Sequence, residues 1–141
     1  MNVSILVGSS LALAVSLMAS WFGLDRERGF YPVVVIVSAA CYILFAVMEG
    51  RASTVVAELV PFAIFLALAL VGFRKNLWLI VAALAGHGVF DAAHAILIAD
   101  KGVPLWWPIF CLSYDIVAAW YLIWLLARLP LPKMPVLEAH S

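Results

Sequence analysis

Five apolar stretches dominate the sequence, and each is long enough to cross the hydrocarbon core of a bilayer, which takes about 20 helical residues. Short segments rich in glycine, proline and charged residues separate them. We therefore predict an all-α polytopic membrane protein, a bundle of five transmembrane helices in one domain, residues 1–129. The predicted spans are residues 3–23, 31–49, 54–73, 77–99 and 108–129, and a proline-rich tail follows at residues 130–141.

The composition agrees with this class of protein. Hydrophobic residues make up 67% of the chain and charged residues 11%, whereas soluble domains average about 45–50% and about 25%. Eight basic and eight acidic residues give a formal net charge of zero, so nothing indicates a nucleic-acid partner or a polybasic lipid anchor, and we expect no bound nucleotide. Cys41 and Cys111 lie in apolar stretches without a C-x-x-C motif, and we expect them to pack as small hydrophobic residues.

Lysine and arginine residues are divided unequally between the two sides of the predicted bundle. The segments that follow spans one, three and five hold six of them, and the opposite side holds two, Arg51 and Lys101. Cytoplasmic loops of membrane proteins carry the excess of positive charge. We therefore predict that the N-terminus lies outside and the C-terminal tail inside the cell.

The fourth predicted span carries three ionisable residues, His87, Asp91 and His94. At 100° per residue, they fall within about 60° of one another on one helical face. A charged side chain near the bilayer centre costs about 2.5 to 3.5 kcal/mol even on lenient insertion scales. This face must therefore contact protein, water or a bound ion rather than lipid.

Carboxylates on other spans fall at similar depth in the membrane. Counted at 1.5 Å per residue from the predicted outer surface, Glu58, His94, Asp115, Asp91 and His87 lie about 6 to 18 Å deep. The inner half of the spans has essentially no comparable residue. Because polar residues that are merely tolerated would not sort by leaflet, we predict one polar site in the outer half of the membrane.

Imidazoles and carboxylates that meet inside a helix bundle are a common way to hold a divalent cation. Neutral histidine with aspartate or glutamate suits Zn, Mn, Fe or Ni, and the H-x-x-x-D-x-x-H spacing lets one helix supply two or three ligands. The acidic neighbours disfavour haem. The predicted metal ligands are His87, Asp91, His94, Asp115 and Glu58.

Two other interpretations stay open at this point. The polar residues could form a closed hydrogen-bonded network that only holds helices together, with His87 as a buried core histidine, in an accessory or structural subunit of a larger membrane complex. They could instead line a proton, ion or small-solute pathway. The apolar inner half of the spans argues against a pathway, because a solute would find no polar groups there.

If the site is catalytic, the residues favour a metal-activated water that attacks an ester, amide or phosphoester bond of a membrane lipid. The candidate catalytic residues are then Glu58 and Asp91, with Glu58 as the base. Ser38 and Ser113 lack the motif context of a nucleophilic serine. Membrane lipids are the expected partners, and five short helices enclose so little volume that a homo-oligomer or a larger complex fits as well.

Two motifs follow one another in the last two spans. The first is H-x-x-x-D-x-x-H and the second is C-x-x-x-D-x-x-x-x-W, formed by His87, Asp91 and His94 and by Cys111, Asp115 and Trp120. This succession resembles an uncharacterised family of small bacterial integral membrane proteins, and Glu58 resembles a glutamate near the middle of such chains. Where members often place a further histidine, this chain has Ala95. The resemblance implies a bacterial inner (plasma) membrane protein with a polar site and implies no particular reaction.

Overall fold

The computed structural model describes residues 2–128, and these residues fold into five α-helices joined by short connections. Each helix is long and apolar enough to span a membrane, so the predicted all-α architecture with five spans is confirmed. The tail at 130–141 and the last residue of the fifth predicted span lie outside the described residues. The helices are α1 (Asn2–Phe22), α2 (Phe30–Glu49), α3 (Ala52–Arg74), α4 (Trp78–Leu97) and α5 (Trp107–Arg128).

Two helix ends depend on backbone conformations that hydropathy does not report. The first helix ends just before Gly23, whose φ of 77° is left-handed and therefore favours glycine. The fourth helix ends at Leu97, two residues earlier than predicted, because Ile98 is extended with φ −134° and ψ 124°. Because α4 ends at Leu97, residues 98–106 fold back over the helices, where Gly102 lies against α2. This path of the loop fixes the position of Asp100.

Short connections make consecutive helices antiparallel, so the bundle has two ends. End A carries the α2–α3 turn at Gly50 and the α4–α5 loop at 98–106. End B carries the α1–α2 connection at 23–29 and the α3–α4 turn at 75–77. The excess of lysine and arginine at end B predicts that end A lies outside the cell, and this orientation stays a prediction.

The fifth helix packs against both α1 and α4, while α2 packs against α3. The contact between α1 and α5 is close at Gly8, where a Cβ atom would lie 2.2 Å from Ser113 Oγ and 2.4 Å from the Phe110 carbonyl oxygen. Small residues permit such approaches between membrane helices. Because the side chain of Gly8 is only a hydrogen atom, α1 can approach α5 this closely.

A buried apolar layer lies on the end-B side of the polar residues singled out above. Its members come from α2, α3, α4 and α5 and pack in one cluster. Each member is at most 1% exposed. Each lies about one to three helical turns nearer end B than the polar residue of its own helix, which is Ser38, Glu58, His87 or Asp115. The residues that define this apolar layer are Val35, Ala69, Ile80, Leu84 and Leu122.

Candidate metal centre

The polar face of α4 points into the bundle. His87, Asp91 and His94 are all at most 2% exposed, as their spacing on one helical face predicts. Asp115 of α5 and Glu58 of α3 are buried to the same degree. All five predicted ligands thus face the interior, but the structure divides them into two groups rather than one.

The first group, called here the central group, consists of His87, Asp91 and Asp115. The His87 Nδ1 atom lies 2.7 Å from Asp115 Oδ2 and 3.3 Å from Asp91 Oδ2. The Tyr42 hydroxyl donates a 2.5 Å hydrogen bond to Asp91 Oδ1. The Ser38 hydroxyl donates a longer one, 3.4 Å, to Asp115 Oδ1. Side chains of α2, α4 and α5 are therefore joined in one buried hydrogen-bonded network.

The second group, called here the cleft group, consists of Glu58, His94 and Asp100. These residues come from α3, from α4 and from the loop that follows α4. The His94 Nε2 atom lies 2.6 Å from Glu58 Oε1. One nitrogen or oxygen from each of the three side chains lies within 4.8 Å of those of the other two. The cleft group thus brings together one imidazole and two carboxylates, the donor types that first-row divalent metals accept.

Asp100 is a candidate ligand that is not among those predicted from the sequence, because it follows the fourth predicted span. The Asp100 Oδ1 atom accepts a 2.9 Å hydrogen bond from the backbone N–H of Gly102, which is a local turn that aspartate favours. Gly102 itself lies directly on α2, where a Cβ would come within 2.1 Å of the Phe45 carbonyl oxygen. The D-x-G sequence after a helix end is the signal for this turn, but it does not tell which side chains the turn will face.

Two carboxylate oxygens of the cleft group have no hydrogen-bond partner among residues 2–128. They are Glu58 Oε2 and Asp100 Oδ2, and both are buried. A buried polar atom without a partner costs about 1–3 kcal/mol, and more if it is charged. Burial raises the pKa of the Asp100 carboxyl above its usual range, and the nearby Glu58 carboxyl raises that pKa further. A cation between the two carboxylates would give both oxygens a partner.

A cleft of about 220 Å³ opens at end A and reaches this group. His94, Asp100 and Lys101 line the cleft together with apolar loop residues such as Val103 and Pro104. Since one water takes about 30 Å³, a hydrated ion can enter. The central group is closed by comparison, because its residues are at most 1% exposed and the gap beside His87 has no room for a water molecule.

Tyr42 connects the two groups. Its ring stacks on the His94 imidazole with centroids 4.1 Å apart, while its hydroxyl donates to Asp91. No role for this tyrosine is predicted from the sequence. A hydroxyl in an apolar span was the available signal, but nothing in the sequence shows which carboxylate it meets.

A further buried carboxyl lies at end B, in the connection between α1 and α2. Asp25 is only 7% exposed and accepts a hydrogen bond from the Ser20 hydroxyl. The Ser20 oxygen also lies 2.7 Å from the Tyr121 hydroxyl oxygen. A short 3₁₀ turn at Leu24–Arg26 folds this carboxyl back against α1, and Asp25 lies in the connection rather than in a predicted span.

The fold and these side chains define an integral membrane protein whose interior holds two groups with the spacing of metal ligands. Comparisons with protein-family models, with curated proteins and with solved structures found no match. The family resemblance of the last two spans therefore stays a prediction.

Proposed function

We propose that this membrane protein binds one divalent cation in the cleft group. The observation that carries the proposal is the pair of buried oxygens without partners, Glu58 Oε2 and Asp100 Oδ2, beside the His94 imidazole at the base of an open cleft. A mixed set of imidazole and carboxylate ligands suits Zn²⁺, Mn²⁺, Fe²⁺ or Ni²⁺. Ca²⁺ is less suited, because it takes six to eight oxygen ligands.

The number of ligands favours a reactive ion over a purely structural one. Structural zinc sites have four protein ligands, whereas catalytic zinc sites have three and keep one position for water or substrate. The cleft group offers three side chains, and two of them, His94 and Asp100, line the open cleft. A bound ion with this ligand set would retain an exchangeable position on the cleft side.

We assign the central group a positioning role instead of a second ion. Its histidine already lies between two carboxylates, and Tyr42 occupies one oxygen of Asp91. His87 Nε2 and Asp91 Oδ2 also have no partner among residues 2–128, but no open cleft reaches them. The network joins α2, α4 and α5, and the Tyr42 ring that it holds stacks on His94. Asp91, predicted above as a catalytic residue, is thus proposed to hold Tyr42 and α4 in place so that His94 faces Glu58.

The apolar layer favours a binding site over a pathway across the membrane. Val35, Ala69, Ile80, Leu84 and Leu122 separate the central group from the buried carboxyl at end B, and each is at most 1% exposed. A proton or solute would need a continuous row of polar groups or water at this level, and the buried members of this cluster contribute only the Tyr31 and Tyr121 hydroxyls. Transport would therefore require a rearrangement of the core of the bundle.

We further propose that the bound cation activates a water molecule for hydrolysis of an ester or amide bond in a membrane lipid. A divalent metal lowers the pKa of its bound water toward about 7. Leu105 lines the cleft, and both it and the adjacent Trp106 are exposed at end A, which is typical of the membrane interface. The cleft therefore opens at the level where the head groups and acyl bonds of lipids lie.

Metal analysis of the detergent-purified protein tests the cation site. After chelator treatment and reloading with Zn²⁺ or Mn²⁺, we expect about one ion per chain, as for a single three-ligand site. Asp100→Asn should lose the ion, because it removes a ligand charge, and Asp115→Asn should retain it. Loss of the ion in Asp115→Asn alone would place it in the central group. Failure of the unmodified protein to bind either metal would overturn the proposal.

Release of fatty acid from phospholipid and amide-linked lipids in mixed micelles tests the hydrolysis. We expect the metal-loaded protein to release fatty acid at least about tenfold faster than the chelator-treated protein, because the ion supplies the activated water. The chelator-treated protein, reloaded with metal afterwards, serves as the matched control. Equal background release by both forms would contradict hydrolysis and would leave the cation site standing.

A further inference from the structure

Lys101 lines the cleft at end A and has no role in holding the cation. It is exposed and lies beside Asp100 in the lining of the cleft. Among residues 2–128 it has no ion-pair partner. Arg51, the other basic residue at end A, lies 3.6 Å from Glu49 instead. Lys101 therefore offers an unpaired ammonium group to a molecule that enters the cleft.

The backbone on both sides of Lys101 is fixed. The Asp100 side chain accepts a 2.9 Å hydrogen bond from the Gly102 N–H, and the Asp100 carbonyl accepts a 3.4 Å one from the Val103 N–H. Gly102 also lies against α2 at Phe45. The Cα atom of Lys101 is thus held at the cleft, and its four-carbon side chain supplies the remaining freedom of movement.

Lys101 lies nearer the membrane surface than His94. Gly102, which follows Lys101, lies against Phe45, whereas His94 stacks on Tyr42, three residues nearer end B on the same helix. Three helical residues rise about 5 Å. A head-group layer is about 5 to 8 Å thick, since a bilayer of about 40–45 Å has a hydrocarbon core of about 30 Å. Groups bound at Lys101 and at His94 would therefore lie in one head-group layer.

The bound cation would reverse the sign of the charge in the cleft. With both carboxylates ionised and His94 neutral, Glu58, Asp100 and Lys101 give a formal charge of −1. A divalent cation changes this formal charge to +1. Because low-dielectric walls focus the field in a cleft, an anionic group would be repelled before the cation binds and attracted afterwards.

Most of the remaining lining of the cleft is apolar. It includes Ile98, Val103 and Leu105, and Leu105 is 99% exposed at the mouth. The cleft volume of about 220 Å³ corresponds to about seven waters of about 30 Å³ each. This space suits a head group and the beginning of an acyl chain. A ligand that matches the whole cleft carries an anionic group next to an apolar chain.

We infer that the substrate is a glycerophospholipid whose phosphate binds the Lys101 ammonium group while its acyl ester faces the cation. In such a lipid the ester lies between the phosphate and the hydrocarbon, which matches the order of Lys101, cation and apolar wall. Hydrolysis there would add one water across the ester C–O bond and yield a fatty acid and a lysophospholipid. The inference rests on the proposed function and narrows its substrate to a lipid with a phosphate.

Native mass spectrometry of the full chain with ether-linked lipids tests this binding, because such lipids lack the ester that would be hydrolysed. We expect the Zn²⁺-loaded protein to bind ether-linked phosphatidylglycerol at least about tenfold more tightly than an ether-linked diglyceride without phosphate. Lys101→Gln should remove most of this preference and still bind one ion. Lys75→Gln is the matched control, since Lys75 is also exposed but lies at end B.

Lys101→Arg keeps the charge and should keep the preference, so it separates loss of charge from damage to the loop. Equal binding of the two lipids by the unmodified protein, or equal preference in the Lys101→Gln and Lys75→Gln variants, would overturn the inference and leave the cation site standing. Persistence of the preference after chelator treatment would overturn the part assigned to the cation. Glycerol phosphate that displaces the lipid at equal concentration would overturn the lipid as ligand. Failure to load Zn²⁺ would instead overturn the cation site, and the inference with it.

Discussion

A Glu58→Gln variant is expected to bind Zn²⁺ or Mn²⁺ at least about 100-fold more weakly than the unmodified protein, because removal of a group that merely orients a ligand already costs about 10- to 100-fold. Glutamine has nearly the shape of glutamate and keeps an oxygen that can accept the hydrogen bond from His94, now 2.6 Å long. The packing of α3 is therefore retained. What the variant loses is the negative charge beside Asp100, which is the charge that a cation neutralises.

Titration of the chelator-treated protein with metal in a calorimeter measures this affinity, and Asp25→Asn is the matched control. Asp25 is also a buried carboxyl, 7% exposed, but it lies at end B. Its substitution should leave the affinity unchanged. An equal loss in both variants would indicate general damage to the fold, and an unchanged affinity in Glu58→Gln would remove the cleft group as the cation site.

The fold was largely predictable because the bilayer imposes its own length on each span. A run of about 20 apolar residues has few alternatives to a membrane-spanning helix, and so the five helices agree with their predicted positions to within two residues. The differences arise where a single backbone angle decides the end, as at Gly23 and at Ile98. Hydropathy averages over many residues and does not contain this information.

The burial of the candidate site was predictable in part. Periodicity puts His87, Asp91 and His94 on one face, and the cost of exposing that face to lipid turns it inward. The pairing of these side chains depends instead on how far each helix slides along its neighbour. That offset is set by packing details such as the close approach of Gly72 on α3 to Ile80 on α4. This is why one predicted site became two groups, with Asp115 on one side and Glu58 on the other.

A His87→Leu variant is expected to lower the free energy of unfolding by about 3 kcal/mol, the lower end of the cost of removing one partner from a buried ion pair. Leucine removes the ring nitrogen that lies 2.7 Å from Asp115 and 3.3 Å from Asp91. Two carboxyl groups, each at most 1% exposed, then remain side by side in an apolar surrounding. Ordinary hydrogen bonds between membrane helices average only about 0.6 kcal/mol, so most of the expected loss comes from leaving these two carboxyls without the imidazole between them.

Unfolding in mixed detergent micelles, followed by circular dichroism, can separate these two contributions. Tyr42→Phe removes one hydrogen bond to Asp91 and leaves the imidazole in place, so we expect a loss of about 1 kcal/mol. The double variant His87→Leu/Asp115→Leu removes a carboxyl together with the imidazole and should recover more than half of the stability lost in His87→Leu, since apolar replacements of a buried pair are often neutral. If His87→Leu is as stable as the unmodified protein, the central group is not a structural network, and its three side chains become candidates for binding an ion themselves.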